Sequence, residues 1–281
     1  MLKIGYLGIR GSNSYAAAKQ YFFETGKLIG VSHFLELFQA LKTGVVNRII
    51  IPVENSLAGS VVENYDLIRK YHFQVVGEYY LQFENHLLGV PECGLNKVNN
   101  LKKIKQVFSH PQALAQCSQF FKKHHWVEQL GFTDTAAAAR FVAKKGDMGL
   151  AAIGNREAAL IYNLEIVKKN IADDNQRNYT RFFILSKPMA VPKNANRCSL
   201  FFTLKHRPGS LCEVLTIFAK YQLNLLKIES RPIHGRPFKY FFFTDFEWGK
   251  QPLNKIKSII QLCQKKTLIL KILGFYQGGR L

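Results

Sequence analysis

From residue 2 to about residue 187, short apolar segments of strand length alternate with stretches whose apolar residues recur at helical spacing. That alternation leaves few folds open. Strands are expected at 2–7, 28–31, 48–53, two within 75–88, and at 106–108, 129–132, 149–153 and 182–185. Helices are expected at 14–23, 34–43, 61–70, 112–121, 135–144 (capped by Asp134) and 156–161. Strands interleaved with helices imply α/β architecture, with open and mainly parallel sheets covered on both faces. Residues 188–196 then break the pattern with two prolines and no periodicity, which marks a linker. Beyond it the order is β-α-β-β-α-β: strand 199–205, helix 211–221, strands 225–230 and 238–246, helix 253–263 and strand 268–276. This is the order of an α+β, ferredoxin-like unit.

Composition narrows the function classes. A chain of 281 residues with 47% hydrophobic residues accommodates two or three compact units. No apolar run approaches the roughly 20 residues that cross a bilayer, so no membrane association is expected. Residues 1–6 read directly as a strand rather than as a secretory signal, which predicts a cytoplasmic protein. Five cysteines (Cys93, Cys117, Cys198, Cys212 and Cys263) contain no C-x-x-C pair, and the dispersed histidines show no metal-ligand spacing. Reduced thiols and no metal site are therefore expected. The net charge of +20 is uneven, with +8 on residues 1–192 and +12 on 193–281. A basic balance of this size suggests nucleic acid, but no recognition helix, zinc finger or dense basic run accompanies it. No specific nucleic-acid binding is expected. The positive field would instead attract a small anion.

Four segments of the first region carry candidate chemistry. Gly8-Ile9-Arg10-Gly11-Ser12-Asn13-Ser14 follows the first strand and opens a helix, where free N–H groups and the positive dipole end suit an anion. Its spacing is not G-x-G-x-x-G, which argues against a dinucleotide. Glu54-Asn55-Ser56 leaves a buried strand, offering either an acid, an amide and a hydroxyl to a cleft or a cap for the next helix. Ser109-His110-Pro111-Gln112 is a similar strand-to-helix passage, with Pro111 suited to a first turn and His110 either a cap or a base. Asn178-Tyr179-Thr180-Arg181-Phe182 places an amide, a hydroxyl, a fixed cation and a ring near a strand start. In an extended segment Thr180 and Phe182 share one face and Arg181 takes the other. Arginine binds carboxylates through a planar fork, and threonine donates from a neutral group.

These segments resemble, in order, those of the prephenate dehydratase family with a C-terminal ACT domain. The likeness includes Gly5-Tyr6-Leu7-Gly8, Pro52-Val53-Glu54-Asn55-Ser56, Ser109-His110-Pro111-Gln112-Ala113-Leu114, Gly149-Leu150-Ala151-Ala152-Ile153, Thr180-Arg181-Phe182 and Leu223-Asn224 through Pro232. The chain departs from the family pattern at Ile9, at Ser12 (which keeps a hydroxyl) and at Asn13 (which loses a ring). Ser210 stands where alanine is frequent and Leu226 where threonine is frequent.

The resemblance implies a two-lobed catalytic domain over 1–187 resembling a periplasmic binding protein. Lobe one would be about 1–73 and 166–187, lobe two about 74–165, and an ACT regulatory domain would cover 197–281. It implies a carbon–oxygen lyase that removes water and carbon dioxide from prephenate to give phenylpyruvate, without cofactor or metal. Thr180, Arg181 and Phe182 would be catalytic. Ser12, Glu54, Asn55, Ser56, Ser109, His110, Gln112 and Asn178 would surround the substrate. Gly209, Ser210, Leu211, Asn224, Glu229, Ser230, Arg231 and Pro232 would bind L-phenylalanine between paired ACT domains of a homodimer or homotetramer. No fused chorismate mutase is expected, because no helical domain precedes Met1. The rival readings are an arogenate dehydratase and a non-catalytic amino-acid sensor.

Overall fold

The computed structural model describes every residue except 24, 92–99, 175–177, 234, 236, 280 and 281. Cys93 and His234 lie outside the described residues. The chain divides into two compact units, Met1–Asn64 with Tyr80–Phe182, and Tyr65–Tyr79 with Phe183–Leu281. No helix among the described residues is long and apolar enough to cross a membrane.

The chain begins β1 (Leu2–Leu7), α1 (Asn13–Phe22), β2 (Gly26–Val31), α2 (Phe34–Thr43), β3 (Arg48–Asn55), β4 (Gly59–Ser60), α3 (Val62–Tyr71) and β5 (Gln74–Gln82). It continues β6 (His86–Gly89), α4 (Asn100–Lys103), β7 (Gln106–Ser109), α5 (Pro111–Ala115), α6 (Ser118–Lys123), β8 (Glu128–Gly131) and α7 (Thr135–Lys145). Then come β9 (Leu150–Gly154), α8 (Arg156–Ile161), β10 (Glu165–Lys168) and β11 (Tyr179–Ser186). One sheet has the order β2-β1-β3-β11-β5, with β4 hydrogen-bonded to β3. Its centre is buried on both faces, and Ile49, Ile50, Ile51 and Val53 are fully enclosed. This continuous apolar run is the signature of a strand covered by helices on each side.

The second sheet has the order β10-β6-β9-β7-β8. Here the expectation of a mainly parallel sheet needs correction. β7 runs parallel to β8 and β9, but β6 runs antiparallel to both β9 and β10. Against this sheet packs α7, whose Ala136–Ala139 face is buried with Leu88, Ala152 and Val142. Its cap is the expected Asp134, which accepts from the Ala137 N–H at 2.8 Å. The helix expected over 112–121 is instead two short ones. Asp173 terminates the first and caps the second by accepting from the Ser118 and Gln119 N–H groups at 3.0 and 2.8 Å and from the Ser118 hydroxyl at 2.7 Å.

In the second unit, β12 (Arg197–Thr203), α9 (Ser210–Lys220), β13 (Asn224–Pro232), β14 (Tyr240–Glu247), α10 (Leu253–Gln264) and β15 (Ile269–Tyr276) form an antiparallel sheet of order β13-β14-β12-β15. Cys198, Leu200 and Phe202 alternate inward against Val214, Phe218, Ile256, Ile259 and Cys263 from the two helices. Phe201 takes the opposite face with Phe241 and Phe243, where Tyr65 of α3 lies 4.8 Å from the Phe243 ring. β15 approaches β5 so closely that a side chain at Gly274 would strike the backbone of Val75, a contact only glycine permits. Glu78 of β5, buried, is held by the Arg197 guanidinium and the Gly279 N–H, the latter at 2.9 Å.

Candidate active site

The first unit encloses a cavity of about 770 Å³. Its walls come from the turn after β1, the end of β3, the segment after β5, α5, the start of α7, and β11. Gly8, at φ 92°, makes the turn out of β1, a left-handed conformation that favours glycine. The turn delivers Ser12 as the N-cap of α1. The Ser12 hydroxyl accepts from the Tyr15 N–H at 3.1 Å and donates to the Leu7 carbonyl at 3.1 Å. Ser12, Asn13 and Ser14 therefore present the positive end of a ten-residue helix to the cavity.

At the floor lies a network of side-chain amides around Thr180. Asn55 is oriented by its own turn, its Oδ1 accepting from the Leu57 and Ala58 N–H groups at 3.1 and 2.9 Å. That fixes its amide group, so Nδ2 faces inward. Nδ2 donates to Asn178 Oδ1 at 2.8 Å, to Thr180 Oγ1 at 2.9 Å and to the Tyr179 carbonyl at 3.2 Å. Asn178 in turn donates to Gln116 Oε1 at 3.3 Å, which also receives Asn85 Nδ2 at 3.4 Å. The consequence is directional. Thr180 Oγ1 accepts from Asn55 and keeps its own proton to donate. Thr180 is only 3% exposed, yet it lines the cavity.

The structure places the residues named from sequence as follows. Ser12, Asn55, His110, Gln112 and Thr180 line the cavity. Asn178 stands behind them in the amide network. His110 caps α5, its Nδ1 accepting from the Gln112 N–H at 3.2 Å, which leaves the proton of a neutral ring on Nε2. Ser109 is fully buried and donates to the Ile153 carbonyl at 3.0 Å, joining β7 to β9 rather than lining the cavity. Ser56 accepts from the Tyr179 N–H at 2.9 Å. Glu54 is half-buried on β3 and does not line the cavity. Arg181 is 5% exposed, engaged within the fold and off the cavity wall, and Phe182 is in the core.

Sequence reasoning missed Asn85, Gln116 and Arg140. Arg140, on α7, is the one lysine or arginine among the described residues lining the cavity. Gln116 was within reach of sequence reasoning, because it stands four residues after Gln112 on what reads as one helical face. Among the described residues no three histidine, cysteine, aspartate or glutamate side chains gather as a metal site.

The second unit holds a cavity of about 540 Å³, to which Ser210 and Leu211 contribute. Its wall combines aromatic residues (Phe201, Tyr240, Phe241) with the cations Arg69, Lys205 and Lys239. Gly209, at φ 79°, sits at the N-cap of α9, and the buried Ser210 hydroxyl has no hydrogen-bond partner. The structure does not bring Glu229–Pro232 to this cavity within one chain. Asn224 donates to Glu247 at 2.9 Å, Glu229 lies 3.6 Å from Lys227, Ser230 is exposed on β13, and Arg231 and Pro232 line a separate depression with Asp66 and His72.

The family model for prephenate dehydratase matches residues 4–190, and that for the ACT domain matches 199–260. Arogenate dehydratase/prephenate dehydratase 2 of Arabidopsis thaliana is 34% identical over 287 residues, which cover 98% of this chain and 72% of that protein. Two solved structures share the fold with a TM-score of 0.85. One is GqqA, described as a novel type of quorum-quenching acylase, 26% identical and covering 98% of each chain. The other is the prephenate dehydratase of Arthrobacter aurescens in complex with L-Phe, 25% identical and covering 98% of this chain and 90% of that one. The residues matched by the two family models take in the amide-floored cavity and the β-α-β-β-α-β unit as far as α10, and the chain belongs to the prephenate dehydratase family, with an ACT domain following the dehydratase region.

Proposed function

We propose that the protein converts prephenate to phenylpyruvate, water and carbon dioxide in the cavity floored by Thr180. The observation that carries this reading is the fixed Asn55 amide, which donates to Thr180 Oγ1 at 2.9 Å and holds that hydroxyl on the cavity wall. In the reaction the bond between the ring and its carboxylate breaks, and that electron pair enters the ring. The ring C–O bond breaks in the same sense, its electrons leaving on oxygen, which takes up one proton to depart as water. Aromatisation drives the sequence, and the protein's part is to hold the dianion and to stabilise charge on the departing oxygen. A preorganised donor in a site shielded from water suits that part.

Thr180 donates to the departing oxygen. The positive end of α1 and the Arg140 guanidinium supply the field that receives the carboxylates. Ser12, Gln112 and His110 line the cavity around the substrate. Asn178, Ser56 and Glu54 hold the Asn55–Thr180 floor from behind, Ser109 ties β7 to β9, and Arg181 and Phe182 hold β11 in place. We take residues 1–187 as the catalytic domain, with lobe one about 1–73 and 166–187 and lobe two about 74–165. Residues 197–281 form the regulatory domain. L-phenylalanine bound at Gly209–Leu211 of one protomer and Asn224 and Glu229–Pro232 of another makes the protein a regulated homo-oligomer. It works in the cytoplasm.

The name of the Arabidopsis relative favours a second reading, elimination from arogenate, which carries an amino group in place of the side-chain keto oxygen of prephenate. Parallel rate measurements with prephenate and arogenate separate the two. A larger kcat/KM for prephenate supports the first reading, and a larger one for arogenate replaces it with the second. Binding of phenylalanine without turnover of either would leave a sensor.

A further inference from the structure

Arg231 belongs to the Glu229–Pro232 segment, yet its guanidinium is already engaged in this chain. It donates to Asp66 Oδ2 on α3 at 3.0 Å. Two neighbours on α3 make parallel contacts to the same sheet. Tyr65, 1% exposed, lies against Phe243 and beneath the Lys227 ammonium, which is 5.6 Å from the ring centroid. The Arg69 guanidinium stands 4.9 Å from the centroid of Phe241. Lys227, Glu229 and Arg231 are alternate residues of β13 and so share a face. The expected effector segment therefore grips α3 by charge through Arg231, while Lys227 of the same strand and Phe241 and Phe243 of β14 hold it through ring contacts.

The other end of α3 leads to the cavity. Asn64, fully buried, donates to the Pro52 carbonyl at 2.6 Å, and the Val61 N–H donates to Val53 at 2.9 Å. Pro52, Asn55 and Val61 all line the cavity. A ten-residue helix is about 15 Å long and moves as a stiff rod, so a shift of its Asp66 turn is felt at its first turn. The Arg231 Nε is buried without a hydrogen-bond partner. The guanidinium thus keeps a donor in reserve, and the pair can be rearranged when β13 moves.

We infer that Asp66 is a positioning residue, through which β13 of the ACT domain sets the place of α3 and hence of the β3 segment presenting Asn55 to Thr180. The regulatory half of this inference rests on the reading that phenylalanine is the effector. Coupling through such an element needs two arrangements that the effector distinguishes.

The test uses the full chain, with amide hydrogen exchange on residues 62–71 and the phenylalanine dose response of prephenate turnover. Asp66→Asn quickens exchange across α3 and moves the half-effect concentration of phenylalanine by about 2- to 30-fold. The charge swap D66R/R231D rebuilds the ion pair and restores exchange protection; its phenylalanine response is left out of the comparison, because Arg231 belongs to the effector segment. Wild-type exchange and response in Asp66→Asn would overturn the inference, as would a swap whose α3 exchanges as fast as in Asp66→Asn. Loss of basal turnover with an unchanged dose response would also overturn it, because that is a purely structural effect. If the wild type ignores phenylalanine, the regulatory reading fails separately. The exchange arm then decides the positioning role: unchanged protection rejects it, and faster exchange reversed by the swap sustains it.

Discussion

Replacing Thr180 by valine removes one hydroxyl and substitutes a methyl of similar size, in a side chain that is 3% exposed. The cost to stability is bounded by what Asn55 retains. Its two Nδ2 protons keep two acceptors, Asn178 Oδ1 at 2.8 Å and the Tyr179 carbonyl at 3.2 Å. The variant therefore loses one hydrogen bond without stranding a buried donor, about 1 kcal/mol, or about 2–4 °C in melting temperature. The cost to catalysis is larger, because the hydroxyl is the donor aimed at the leaving oxygen. Removal of one preorganised donor lowers kcat by about 10²–10³, or about 2.7–4 kcal/mol. KM should change only a few-fold, since uniform binding is untouched. Thr180→Ser restores the hydroxyl and most of the rate. The assay is the appearance of phenylpyruvate from prephenate, with a melting curve alongside to separate rate from folding. A Thr180→Val protein that melts normally and turns over within about threefold of wild type would refute the role of the hydroxyl.

Asn55→Asp replaces the donor group by a carboxylate oxygen facing Asn178 Oδ1 and Thr180 Oγ1, so kcat should fall by about 10² or more, with about 1–3 kcal/mol of stability; an unchanged rate would show that the amide does not orient Thr180. Arg181→Lys should lower the melting temperature while leaving KM for prephenate within a few-fold, because Arg181 is buried off the cavity wall and its planar fork is what a lysine cannot reproduce; a large rise in KM at normal stability would place Arg181 against substrate. His86 is 2% exposed, and burial holds its pKa below the usual value against the opposing pull of Glu84. For a depressed histidine the folded state binds fewer protons than the unfolded one, so the stability it contributes is complete above about pH 6.5 and is lost as pH falls through the folded value. Urea unfolding between about pH 7.5 and 5 should lose less on acidification in His86→Gln than in wild type, and identical pH profiles would reject this.

How much of the molecule can be read from its sequence depends on how local the cause is. The Asp134 cap of α7 and the apolar run of β3 are local, and both stand where the pattern predicts. The break between α5 and α6 is not local, because the capping carboxylate, Asp173, lies more than fifty residues downstream of the N–H groups it accepts from. The strand ends are set in the same way. β3 extends to Asn55 and β11 begins at Tyr179 where Ser56 and Tyr179 bond to each other, a pairing that neither segment announces alone. Alternation along an extended chain correctly separates Thr180 from Arg181, but burial in the core, not alternation, removes Phe182 from the cavity. Asn85 and Gln116 join the site through an amide network that has no sequence period. The antiparallel setting of β6 likewise depends on which strand it meets, which hydrophobic pattern does not encode.

Whether this cavity carries out the elimination is tested most directly by mixing purified protein with prephenate and following phenylpyruvate and released carbon dioxide simultaneously. Catalytic formation of the two products in equal amounts is expected, slowed by about 10²–10³ in a folded Thr180→Val protein. Prephenate left unconsumed by the folded wild-type chain, or consumed equally well by the valine variant, would contradict it.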